Sequence, residues 1–260
     1  HGMMEHTERY SEFSEFLSNN GYNVYVLDLR GHDDFNKDDK AAAFSDGEGM
    51  AAIIEDMKTL IETEMEEAPV LFGHSLGTII ALEYAIKNNE ISSLILSAPV
   101  YMSSSDRVFG KMTAFTEGIF MKKRKSILNK VFNKYNRHFK PNRTEYDWLS
   151  RDEAVVDEYI KDPKCGFGAT PRFFSEFIKS VKYVNENENK INRNAKMLVI
   201  YGTEDPVTGD GKSVSRLKRK IKSIDRKINI VENKGGRHES LNEINKYEIY
   251  DSVLDWLNKL

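Results

Sequence analysis

The stretch VLFGHSLGTIIALEYA, residues 70–85, sets two patterns back to back. Val70, Leu71 and Phe72 make a short apolar run of strand character, and Leu76 to Ala85 continue as an apolar helix. Between them, Gly73-His74-Ser75-Leu76-Gly77 is a G-x-S-x-G. Strand, sharp turn and helix are the context this motif requires, because its glycines let the chain turn tightly enough to hold the Ser hydroxyl out at the sheet's edge. Taken alone the motif is weak, and Ser75 would also serve as an ordinary helix N-cap. The flanking elements turn it toward a nucleophile.

A serine hydroxyl reacts only when a base takes its proton and a third group orients that base. The expected chain order is Ser, then an acid, then His. After the strand-like MLVIY of residues 197–201 comes Gly202-Thr203-Glu204-Asp205-Pro206, and its spacing leaves both Glu204 and Asp205 open. After the run at residues 228–231 comes Gly235-Gly236-Arg237-His238-Glu239, a histidine on a glycine-loosened loop. His1, His6, His32 and His138 lack that order and setting, and His74 reads as packing beside the turn.

Working outward, residues 22–29 (YNVYVLDL), 70–72, 91–97, 197–201 and 228–231 read as strands, mostly unbroken apolar runs of the kind found in parallel sheets buried on both faces. Helical spacing joins Tyr10, Phe13, Phe16 and Leu17. It recurs in Met50, Ile53, Ile54, Met57, Leu60 and Ile61, with Ser45 and Glu48 as a capping box, and again from Leu241 to Leu257. Strand and helix in alternation predict an α/β class, a mostly parallel, doubly wound sheet. The rhythm breaks over residues 101–181, which carry helical patterns and no strand; this predicts a helical cap inserted over the strands' carboxyl ends, between core segments 1–100 and 182–260. Residues 185–194 read as a solvated connection back to the sheet. His1-Gly2 is a pair that normally hangs off a strand, yet none precedes it here. The expectation is upstream sequence of roughly 30 residues.

HGMMEHTERY, GHSLG, YGTEDPV and GGRHE, in that order, together with WLSRDEAVVDEYIKDP, resemble the serine α/β-hydrolases related to monoacylglycerol lipases and bacterial lysophospholipases. The resemblance runs through nearly the whole chain and implies the α/β-hydrolase fold. Carried over residue by residue, it implies Ser75 as nucleophile, Asp205 as orienting acid and His238 as base. Backbone N–H groups of Met3 and Leu76 would form the oxyanion hole, with His1 shaping that loop. It implies hydrolysis of a monoacylglycerol or lysophospholipid ester through an acyl-enzyme; a carboxylesterase or thioesterase on other substrates is the nearest rival, and a non-catalytic binding protein, a peptidase or an acyltransferase lie further off. Two positions depart from the family pattern: Asp33, where a second glycine is common, and Lys164, where an apolar residue is usual.

Within the cap, Phe109, Phe115, Ile119 and Phe120 are candidate substrate-binding residues. Ten basic residues from Arg107 to Lys140 stand against the single acid Glu117. That run predicts either a solvated helical face or peripheral contact with an anionic membrane surface. A net charge of −3 gives the whole chain no pull toward nucleic acid. A lone cysteine, Cys165, suits a reducing, cytoplasmic setting. No cofactor and no metal are expected, since no histidine pair has zinc-ligand spacing. Gly47 to Ala52 imitates a dinucleotide fingerprint without a preceding strand, and Gly211-Lys212-Ser213 imitates a P-loop end whose first glycine would be Pro206.

Overall fold

In the computed structural model the described residues are 1–32, 43–44, 49–88, 90–120, 125–209, 211–222 and 228–260. The capping box at Ser45 and Glu48, the departure at Asp33 and residues 121–124 of the basic run lie outside them. In chain order the elements are α1 (Ser11–Asn19), α2 (Met50–Glu64), β1 (Val70–His74), α3 (Leu76–Lys87), β2 (Ser93–Ser97), α4 (Ser104–Phe120), α5 (Lys130–Tyr135), α6 (Glu153–Lys161), α7 (Pro171–Asn187), β3 (Lys196–Gly202), α8 (Lys212–Lys222), β4 (Ile228–Asn233) and α9 (Lys246–Leu257).

The four strands pair in the order β1-β2-β3-β4, every pair parallel. Parallel neighbours need crossovers, and the helices that supply them cover both faces of the sheet. Strand residues therefore sort by parity. Leu94, Leu96, Met197 and Val199 join a core with α2, α3 and α7. Ile95, Leu198 and Ile200 point the other way, into a core with α1 and α9. All five residues of β2 are buried, and each large aliphatic removed from water there contributes about 1.5–3 kcal/mol.

Residues 22–29 are not a strand. A strand exists only where a ladder partner accepts its hydrogen bonds, and no described segment pairs with residues 22–29, which line a cavity of about 710 Å³ together with Val70, Leu71 and Phe72 of β1. Of its apolar side chains only Leu29 is buried, while Tyr25 and Val26 are exposed.

Between β2 and β3 the described chain is helical throughout its regular elements, α4 to α7. α4 packs closely on α7 through small residues: a Cβ at Gly110 would lie 2.8 Å from Ile178 Cδ1, and Ala114 is buried. The large apolar side chains of α4 are turned outward in consequence.

Candidate active site

Ser75 links β1 to α3 at φ +50 and ψ −112, a conformation disfavoured for a residue with a Cβ and typical of functional turns. Surrounding contacts hold it there. Its N–H donates to Ser97 O at 2.9 Å, continuing the β1–β2 ladder. Its carbonyl accepts from the N–H of Thr78 at 3.0 Å and from Thr78 Oγ1 at 2.6 Å. The turn is tight enough that a Cβ at Gly73 would meet Gly77 O at 2.3 Å.

Asp205 follows β3, is wholly buried, and its Oδ1 accepts the N–H of Val207 at 2.8 Å. His238 follows β4, with its Nδ1 at 3.1 Å from each Asp205 carboxylate oxygen. Glu204, the rival acid, has no such contact with the ring among the hydrogen bonds of the described residues. The loops bearing Asp205 and His238 are pressed together, since a Cβ at Gly202 would lie 2.1 Å from Gly236 O. The histidine is also tied into the inter-strand helical segment: its N–H donates to Trp148 O at 3.4 Å, and the N–H of Glu239 donates to Leu149 O at 2.8 Å. Burial disfavours the imidazolium, but the Asp205 charge and hydrogen bond outweigh it and raise the pKa of His238 above 6.5.

The neighbouring histidine behaves oppositely. Burial, helped by His238, lowers His74 to about 3; its Nδ1 pairs with Ser97 Oγ at 3.1 Å, and its ring lies 4.9 Å from that of His238. It is a neutral packing partner. His1 fixes the segment beside it, with Nε2 accepting from the N–H of Leu29 at 3.0 Å and Nδ1 2.8 Å from Gly2 O.

Met3, Ser75, Leu76 and His238 line one cavity of about 820 Å³. Apolar side chains dominate its walls, among them Leu128, Phe132, Trp148, Phe167, Phe174 and Ile178. Such a space suits an apolar chain. Among the described residues no hydrogen bond joins Ser75 Oγ to His238; such contacts often tighten only when substrate binds.

Of the substrate-binding residues expected from sequence, Phe109 borders this cavity, while Phe115 and Ile119 do not and are 69% and 57% exposed. Phe120 ends α4, and its side chain lies outside the description. The aromatic wall from α7 and the Trp148 region was missed, although the strong helical periodicity of residues 171–187 signalled a buried face. His6, Asp162 and Cys165 are the one grouping of metal-ligand composition among the described residues. There His6 Nε2 and Asp162 Oδ2 already pair at 2.7 Å, and burial pushes the Cys165 thiol well above its usual range, against the thiolate that a metal needs.

Residues 1–245 match the Hydrolase_4 family model, described as serine aminopeptidase, S33. The chain is 26% identical over 265 residues to a monoacylglycerol lipase of Mycolicibacterium smegmatis, covering 99% of this chain and 85% of that one. Among solved structures it is similar to a monoacylglycerol lipase of Paleococcus ferrophilus (24% identity, TM-score 0.74, 99% of this chain and 91% of that one). It is similar also to a carboxyl esterase of Bacillus coagulans in complex with glycerol (22% identity, TM-score 0.83, 100% and 87%). At these identities the structural matches establish the α/β-hydrolase fold.

Proposed function

This chain belongs to the serine aminopeptidase S33 (Hydrolase_4) family of α/β-hydrolases, and from that premise we propose that it cleaves a single-chain lipid ester, a monoacylglycerol or lysophospholipid, through an acyl-enzyme on Ser75. The chain is a carboxylic ester hydrolase. The observation that carries the finer reading is the common cavity: Ser75, on its strained turn, and His238, paired with Asp205, border one largely apolar space of about 820 Å³.

In this mechanism His238 accepts the Ser75 proton as Oγ attacks the ester carbonyl, while Asp205 fixes the tautomer and stabilises the imidazolium. Backbone N–H groups of Met3 and Leu76 meet the oxyanion; loss of one such donor costs roughly 3–4 kcal/mol where it has been measured. The alcohol leaves with the proton from His238. Water then attacks the acyl-enzyme, again with His238 as base. The test is covalent labelling by a fluorophosphonate, followed by turnover on monoacylglycerols, lysophospholipids, short synthetic esters and aminoacyl amides. Ser75→Ala should lose both labelling and hydrolysis, and near-normal turnover by that variant would refute the serine mechanism. A preference for short soluble esters over the lipids would remove the lipid assignment and leave a general esterase.

The substrate's physical state favours a membrane contact as part of the same reading. Val108, Phe109, Met112, Phe115 and Ile119 of α4 are 57–71% exposed, and Phe109 also borders the cavity. Lys111 and Lys125 stand in the same segment, within a stretch of ten basic residues and one acid. An apolar face flanked by cations suits an anionic lipid surface. No helix among the described residues is long and apolar enough to cross a membrane.

A further inference from the structure

Two carboxylates and one guanidinium are buried next to the proposed reacting groups, and the mechanism above uses none of them. Glu5 is 3% exposed. Its Oε1 accepts the backbone N–H of Gly2 at 2.5 Å and the Tyr10 hydroxyl at 2.8 Å, and its Oε2 accepts Arg9 Nε at 3.0 Å. Arg9 turns its Nη2 to Glu239 Oε2, on the residue that follows His238. Its guanidinium also lies over the Tyr159 ring, 4.8 Å from the centroid. Tyr159 in turn donates to Met4 O at 3.0 Å, beside the N–H of Gly166 at the same distance.

These contacts bracket Met3. The residue before it is tied to Glu5 through its N–H, and the residue after it is tied through its carbonyl. Met4 is held at φ +64, a left-handed conformation that a side chain disfavours. The fit leaves no slack at Gly2, where a Cβ would lie 2.6 Å from Glu5 Oε1. Burial alone would raise the Glu5 carboxyl, but the Arg9 charge, helped by the Tyr10 hydrogen bond, outweighs it and holds the group below the usual carboxylate range, so Glu5 is an anion that can only accept. Such a set is a poor source of stability, because apolar replacements of buried ion pairs are often neutral or stabilising. Its position supplies the better explanation.

We infer that Glu5 is a positioning residue: braced by Arg9 against Glu239, it aims the Met3 N–H at the oxyanion and holds that donor in register with the loop carrying His238. This rests on the reading of Ser75, His238 and Met3 given under the proposed function. Glu5 borders the same cavity but makes no hydrogen bond to Ser75 among the described residues. It acts through the backbone it holds.

The test compares turnover with binding of a trifluoromethyl ketone, using a soluble short-chain ester as substrate. Ser75 Oγ adds to the ketone carbon, its proton passes to His238, and the ketone oxygen becomes the anion that Met3 and Leu76 meet. Glu5→Gln preserves size and an acceptor for Gly2 but loses the ionic tie to Arg9. Expected is a loss in kcat/KM of roughly tenfold to a hundredfold, as for other small misplacements of reacting geometry. The ketone's inhibition constant should rise by the same factor, and KM should change little. Arg9→Met should behave alike, and the double variant should lose no more than the worse single one, as for groups acting as a unit. Glu5→Asp replaces Glu5→Gln, with the same expectation, if the latter does not fold. A kcat/KM within about twofold of wild type, or a loss of turnover with ketone binding intact, overturns the inference. Ser75→Ala separates the layers. If it still hydrolyses the ester, the proposed function fails and this inference falls with it. If it is inactive while Glu5 variants are normal, only the positioning role fails.

Discussion

His238 Nδ1 sits 3.1 Å from both carboxylate oxygens of Asp205, and neither residue is more than 4% exposed. Burial works against charging the ring, yet the Asp205 charge and hydrogen bond prevail, and the imidazole pKa lies above 6.5. A general base must be neutral to accept the Ser75 proton. The acid limb of kcat/KM should therefore have its midpoint above pH 6.5, with activity rising with pH through it. Asp205→Asn removes the main raising influence and leaves only Glu239 and Glu5 against burial, so the limb should move to lower pH while kcat falls about 10⁴-fold. A pH–rate series on both proteins checks this; a wild-type midpoint at or below 6.5 contradicts it. For stability the sign is opposite: the pair's contribution is full below pH 6.5 and is lost as pH rises through the folded-state pKa.

Gly73 is where the turn leaves no room for a side chain. An added Cβ would meet Gly77 O at 2.3 Å, Gly77 C at 2.5 Å and Thr78 N at 2.8 Å, all backbone atoms that cannot swing aside. Gly73→Ala should lower stability by about 3 kcal/mol or more and abolish fluorophosphonate labelling. Gly118→Ala, at a helical position with open space around it, should be neutral or slightly stabilising. Thermal melts of the two variants side by side make the comparison.

The turn at Ser75 was legible because it is local: strand, glycines and helix lie within residues 70–85, and pattern alone carries them. The order of Asp205 and His238 was legible because each follows a strand. What escaped is set by partners distant in sequence. Residues 22–29 have the composition of a strand, but a ladder depends on a neighbour, and no described segment pairs with them. Periodicity showed that α4 is two-faced without showing which face meets the protein. The small residues Gly110 and Ala114 do, and Glu117 turns in beside them to accept Ser126 Oγ and the N–H of Ile127. The Arg9–Glu239 pair spans 230 residues, and no spacing rule joins them.

Cys165 is free and completely buried. Burial raises its thiol far above the usual range, and nearby Arg9 offsets only part of this. Thiolate is the reactive form, so native protein should remain unmodified by the aromatic disulfide dithiobis(nitrobenzoate) over times that fully label the unfolded chain. Cys165→Ser should retain ester hydrolysis but lower stability by about 1–3 kcal/mol, since a fully buried hydroxyl needs a hydrogen-bond partner that the thiol did not. Rapid labelling of the native protein would show that the pocket opens.

The exposed face of α4 separates lipid contact from chemistry. Phe115 and Ile119 are exposed and lie off the cavity wall, so replacing both with Ser leaves the space around Ser75 intact. If α4 rests on a membrane, Phe115→Ser with Ile119→Ser should weaken binding to phosphatidylglycerol-containing vesicles. Each lost aromatic or aliphatic insertion is worth about 1.5–3 kcal/mol at full burial, so a tenfold or greater loss is expected. Hydrolysis of a soluble short-chain ester should be unchanged. The electrostatic part is read separately: changing Lys122, Lys123, Arg124 and Lys125 to Gln should remove most of the dependence on anionic lipid, and salt should weaken binding by the parent protein far more than by this variant. Equal vesicle binding by all three proteins, or none by any, would show that the basic run and the apolar face are solvated and that substrate reaches Ser75 from solution.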